Sequence, residues 1–175
     1  MKLIRRGGGV PAEILERAHL GRGEKVLASA GAVDGSWLLG TRRSLALVLP
    51  TEVAHLAWEE IEDAAWDKDG GRLRVHGVGS YGEPRPSYTF EMEDPALLLQ
   101  LVRERVTASI VLQRRIPVRG DLGLTVIGRR SPVGGPVAWM HAYDPGLDPH
   151  DPEVSAIADG ALEQARAEVG DDPDL

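Results

Sequence analysis

Lys25-Val26-Leu27-Ala28-Ser29-Ala30-Gly31-Ala32, then Val33-Asp34-Gly35, then Ser36-Trp37-Leu38-Leu39-Gly40 is the stretch whose reading decides the fold. Two apolar runs flank an Asp-Gly pair, and a tight hairpin turn needs the positive φ that such a pair tolerates. Residues 25–32 and 36–40 therefore read as antiparallel strands. Residues 44–49 add a third strand, which Pro50 stops. Leu56-Ala57-Trp58 reads as a short edge strand, and 61–67 as a longer one bounded by Asp69-Gly70-Gly71. Residues 72–78 alternate, with Leu73 and Val75 on one face and Arg72, Arg74 and His76 on the other. Residues 87–92 make another strand. Asp94-Pro95 then opens a helix over 95–108, Asp at the N-cap and Pro in the first turn, with Leu98, Leu101, Val102 and Val106 as its apolar stripe.

Working outward, Pro11 opens a short helix with Ile14, Leu15 and Ala18 on one side, ended by Gly21 and Gly23. Past Ala108 the period changes, and 109–118, 122–128 and 136–143 read as three strands joined by Gly-rich turns. Asp151-Pro152-Glu153 caps a last helix over 152–169, striped by Val154, Ile157, Ala158, Ala161, Leu162, Ala165 and Val169. The expected organisation is a lead and short helix (1–22), a first domain (23–108), a meander-plus-helix extension packed on or beside it (109–170) and a disordered tail (171–175). The class is α+β, and no period recurs that would mark a repeat architecture.

Composition narrows the chemistry. At 175 residues the chain can bury a core without disulfides or metal. It has no cysteine, which excludes disulfides, thiol nucleophiles and cysteine-ligated zinc and fits a reducing cytoplasm. Arg5-Arg6 has no apolar segment behind it, so no signal peptide is expected. No apolar run reaches the roughly 20 residues of a membrane span, so no transmembrane segment is expected either. The net charge of -7 is uneven: ten acids and one base lie from Asp144 onward, while 114–130 holds five arginines against Asp121.

Residues 23 to about 108 resemble the bacterial pleckstrin-homology-like (PH-like) domain. The resemblance rests on Gly23-Glu24-Lys25-Val26-Leu27, on Trp37-Leu38-Leu39-Gly40-Thr41-Arg42-Arg43-Ser44-Leu45, on Ala57-Trp58-Glu59-Glu60-Ile61 and on the helix at 95–108. It implies a bent antiparallel β-barrel or sandwich closed by that helix. Val126-Ile127-Gly128-Arg129-Arg130, Trp139 and Asp144-Pro145-Gly146-Leu147-Asp148 look like an extension found in uncharacterised actinobacterial proteins. The family's members bind lipids, peptides or ligands not yet known, which points to a non-catalytic binding module for a protein segment or an anionic ligand. Eukaryotic relatives hold phosphoinositides with basic residues around the first hairpin. Here that hairpin is Val33-Asp34-Gly35, which argues against such binding.

Other motifs dissolve on inspection. Gly77-Val78-Gly79-Ser80-Tyr81-Gly82 matches a dinucleotide pattern, but Glu83-Pro84-Arg85-Pro86 follows where a helix must begin. His19, His55, His76, His141 and His150 lie in five separate elements, so neither a metal nor a cofactor is expected. His141 reads as a hydrogen-bonded core histidine. Asp144, Asp148, Asp151 and Glu153 lack the spacing of a calcium loop, and Glu59, Glu60, Glu62 and Asp63 read as a solvated face. Arg114, Arg115, Arg129 and Arg130 remain as possible anion or partner contacts. Salt bridges to the acidic last helix are the structural alternative for them. Arg72, Arg74 and His76 mark a peptide edge if their strand is left unpaired. The partner is then a protein or a second copy of the chain. Nucleic-acid or phosphate binding through the arginine hairpin 114–130 is the competing class, with the acidic net charge against nucleic acid. An undetected enzyme would need a pocket with convergent polar groups.

Overall fold

The computed structural model describes residues 9–79, 84–93 and 95–170. The chain divides into two compact units, Met1–Glu104 and Arg105–Leu175. In the first, helix α1 (Ala12–Ala18) precedes strands β1 (Ala28–Gly31), β2 (Trp37–Gly40), β3 (Ser44–Val48) and β4 (Val53–Ala57). They form one antiparallel sheet in the order β1-β2-β3-β4. A single 3-10 turn (Trp58–Glu60) leads into β5 (Ile61–Asp67), β6 (Arg72–Gly77) and β7 (Ser87–Glu91), a second antiparallel sheet in chain order. Helix α2 (Ala96–Ser109) follows, and its last five residues belong to the second unit.

The expected helix is therefore present, though its proposed cap Asp94 lies outside the described residues, as do 80–83 of the glycine-rich motif. The single bent strand system expected from sequence is instead two sheets, with no closed barrel among the described residues. A backbone bond from Val33 N–H to the Glu91 carbonyl (2.8 Å) joins the first hairpin to the end of β7.

The composition of β2 and β3 explains the layering. Leu38, Leu39, Leu45, Ala46, Leu47 and Val48 are all buried, so both faces of these strands are covered. Strands in that position read as continuous apolar runs rather than alternating ones. On one face Leu39, Ala46 and Val48 cluster with Ile14 and Ala18 of α1. On the other, a Cβ at Gly40 would stand 2.5 Å from the Leu101 side chain, so α2 passes over a position that only glycine leaves open. Full burial of Leu45 and Leu47 contributes about 1.5–3 kcal/mol each.

Trp58 is not part of the edge strand read from sequence. It is fully buried, and its indole Nε1–H donates to the Thr41 carbonyl at 3.2 Å. The strand ends at Ala57 because the ring is drawn inward, and a buried indole needs that acceptor.

The second unit holds β8 (Ile110–Arg119), β9 (Leu122–Arg129) and β10 (Ala138–Tyr143), with β9 central, and α3 (Pro152–Val169). Gly120, at φ 55°, makes the tight turn between β8 and β9. Leu124 and Val126 of β9 cluster with Ala158, Ala161 and Ala165, and Ile157 and Leu162 pack at the margins. Alanines along the buried stripe let the helix backbone come close to the sheet. Asp151 accepts the Glu153 N–H at 2.9 Å as N-cap, and Gly170 (φ 72°) ends the helix. Since Leu124 is wholly buried beneath this helix, Leu124→Ala is expected to lower unfolding free energy by about 2–5 kcal/mol in urea titrations of the full chain. A loss under about 1 kcal/mol would mean α3 does not seal this sheet.

Candidate functional site

The four arginines singled out from sequence do not converge. Alternation puts Arg114 on the α3 side of β8, where it pairs with Glu168 near the helix C-terminus. Arg115 projects from the opposite face. Its two terminal nitrogens reach Asp144 Oδ1 (3.0 Å) and Oδ2 (2.5 Å), and one of them also donates to the Asp121 carbonyl (3.1 Å). Arg129 is 3% exposed, and its Nη1 donates to Ser109 Oγ at 3.1 Å. Ser109 in turn donates to the Val106 carbonyl, so Arg129 helps close the end of α2. Arg130 is exposed, and the ion pairs of the described residues include none to it. Arg119, counted in the hairpin 114–130 but not singled out from sequence, joins both Asp151 (2.9 Å) and Glu153 (2.5 Å) at the start of α3. The signal was the acidic cap Asp151-Pro152-Glu153 facing the arginine hairpin 114–130, in keeping with the salt bridges to the last helix expected as the structural alternative.

The proposed peptide edge is corrected by the pairing. β6 is the central strand of its sheet, bonded to β5 on one side and β7 on the other. Its backbone groups are thus consumed, and Arg72, Arg74 and His76 lie on a sheet face rather than along an edge. In register, His76 stands beside Asp63 (Nδ1 to Oδ1 2.6 Å), while Arg72 lies between Asp67 and Glu91. The outer strands of the first unit's two sheets are β1, β4, β5 and β7.

The acidic clusters have structural partners. Glu62 meets Arg85 at 2.9 Å, Glu60 accepts the Ala57 N–H, and Asp148 accepts the His150 N–H. No group of three or more His, Asp or Glu able to hold a metal gathers among the described residues. His141 is half-buried beside Tyr143, ring centroids 5.9 Å apart, and its Nε2 has no hydrogen-bond partner among the described residues, unlike the satisfied core histidine expected. Burial, and then the charge of Asp159, push the Tyr143 hydroxyl pKa up. None of the described helices is long and apolar enough to cross a membrane.

A second basic group, not apparent in the linear sequence, assembles at one end of the first sheet. The β1–β2 register runs outward through a bond from Leu27 N–H to the Gly40 carbonyl (2.8 Å). This brings the segment before β1 alongside the β2–β3 turn, and Arg43 Nε lies 3.5 Å from Glu24 Oε1. Arg22 and Lys25, which flank Glu24 in the chain, thereby share a corner with Arg42 and Arg43.

The fold defines an α+β protein of antiparallel sheets, in which α1 and α2 cover the first sheet and α3 covers the third. Compared with protein-family models, curated proteins and solved structures, the chain matches none.

Asp144 and Asp151 provide a pH test. The Arg115 side-chain hydrogen bond, then the Gly123 N–H, hold the Asp144 pKa below its ordinary value; the Arg119 side-chain bond, then the Glu153 N–H, do the same for Asp151. A carboxylate with a depressed folded pKa stabilises above its unfolded pKa of about 3.9, and that contribution fades as pH falls through the folded value. Stability should therefore fall on acidification below about pH 4, and Asp144→Asn combined with Asp151→Asn should flatten the fall. Parallel pH profiles of wild type and double variant would refute this assignment.

Proposed function

We propose that the chain is a non-catalytic binding module and that its first unit is PH-like. The support for the second point is order: four antiparallel strands, then three, then a helix that packs on the first sheet beside Gly40. The support for the first point is that the conspicuous charged side chains of the second unit serve its own folding. Arg114, Arg115 and Arg119 are held by Glu168, Asp144, Asp151 and Glu153. Those pairs count against the arginine hairpin as a nucleic-acid surface, because a phosphate would have to displace carboxylates already in place.

The observation that carries the reading is the position of β5. It is an outer strand seven residues long whose one face bears Asp63, Ala65 and Asp67, all exposed. A partner segment lying in extended form along it would continue the second sheet, using main-chain hydrogen bonds for affinity and side-chain positions for selectivity. The edge role assigned from sequence to 72–78 passes to its neighbour. Selection of extended peptides from a display library, followed by titration into isotopically labelled protein, tests this. Amide shifts confined to 63–67 are expected. An exhaustive selection without binders, or shifts centred elsewhere, would refute β5 as the docking strand.

A further inference from the structure

The corner formed by Arg22, Lys25, Arg42 and Arg43 serves no evident folding need. Two turns build it. Gly21-Arg22-Gly23-Glu24 is closed by the Glu24 N–H on the Gly21 carbonyl (2.9 Å), with Gly23 at φ 80°, where a side chain would be strained. The second turn is fastened from within by Thr41, a fully buried residue. Thr41 Oγ1 accepts the N–H groups of Arg43 (3.2 Å) and Ser44 (3.1 Å) and donates to the Ser44 carbonyl (3.1 Å). Trp58 braces the same turn, its indole on the Thr41 carbonyl and its backbone N–H on that of Arg43 (3.3 Å). Arg42 and Arg43 thus project from a rigid platform.

The cations they present are poorly compensated. Arg22, Lys25 and Arg42 are exposed, and the ion pairs of the described residues include none to any of them. Arg43 has only the long approach to Glu24, with its side chain 70% exposed against 13% for the glutamate. Of the acids that follow Trp58, Glu60 is turned back onto the Ala57 N–H, and the ion pairs of the described residues include none to Glu59. Like charges held on adjoining turns repel, so the arrangement costs stability unless an anion enters it. The contrast with the second unit is direct, since Arg114, Arg115 and Arg119 each hold a carboxylate.

We propose that this corner binds a compact phosphate-bearing ligand, a reading that rests on the chain being a binding module. A phosphate offers several acceptor oxygens and up to two charges, and so meets two or three guanidinium and ammonium groups together, where a carboxylate meets one. Compactness follows from the surroundings. Residues 1–104 carry 13 bases against 16 acids, a net charge of -3, so a long polyanion such as nucleic acid would run from the corner into excess negative charge on the same unit. The phosphate is either free or carried on a polypeptide, and the two sources separate experimentally.

The test titrates the full isotopically labelled chain with pyrophosphate, and separately with a phosphoserine peptide and its unphosphorylated form. Saturable shifts of the 22–25 and 41–44 amides are expected, weakened by added salt. The double variant Lys25→Gln/Arg42→Gln should bind at least about tenfold more weakly at unchanged melting temperature. Tighter binding of the phosphopeptide than of pyrophosphate assigns the phosphate to a polypeptide, and the reverse order to a free ligand. The absence of saturable shifts with every phosphate probe, equal binding by the double variant, or equal binding of the unphosphorylated peptide would overturn the proposal. Because β5 docking is read from residues 63–67, either site can fail while the other stands.

Discussion

A strand with four successive buried side chains governs the first unit. Leu45, Ala46, Leu47 and Val48 of β3 are all buried, so the sheet needs cover on both sides at once. One side falls to α1, a helix of seven residues too short to persist alone in water. The other falls to α2, which comes so near β2 that Gly40 has no space for a methyl group in front of Leu101. Trp58 follows from the same demand. It enters the interior, finds the Thr41 carbonyl, and fixes both the end of β4 and the turn that carries Arg42 and Arg43. The most apolar segment thereby sets the position of the most basic turn.

The second unit reaches the same end with fewer large side chains. Its core is a row of alanines laid on Leu124 and Val126, and the charged residues at the helix ends locate the contact. Arginines on β8 are matched to acids at either end of α3, with Asp144 tying the chain after β10 back to Arg115 and Gly123. Charge here acts chiefly as a positioning device, and it is largely satisfied within the unit.

Most of the architecture was legible wherever local chemistry and periodicity agreed. The Asp34-Gly35 hairpin, the 152–169 helix and its stripe, and the three-strand meander all stand, because turn residues and caps mark them within a few positions. Less legible were features set by distant contacts. Trp58 looked like a strand residue because its acceptor lies 17 residues away in sequence. Residues 72–78 looked like an edge because alternation reports which face is wet, not how many neighbours a strand has. The basic corner escaped notice because the segment with Arg22 and Lys25 comes alongside the turn with Arg42 and Arg43 only once β1 and β2 are in register. The arginine pairs at 114–115 and 129–130 drew attention by adjacency, yet adjacent residues on a strand face opposite ways.

The three ion pairs that bracket α3 also act as a ruler. Arg119 holds the helix at Asp151 and Glu153, and Arg114 holds it at Glu168, about four turns further on. A stripe of near-identical alanines cannot by itself distinguish one longitudinal setting of the helix from another displaced by a turn. The paired charges can, because a slip of about 5.4 Å would part both ends together. Hydrophobic burial therefore decides that the helix docks, and the fixed spacing of opposite charges decides where along the sheet it stops.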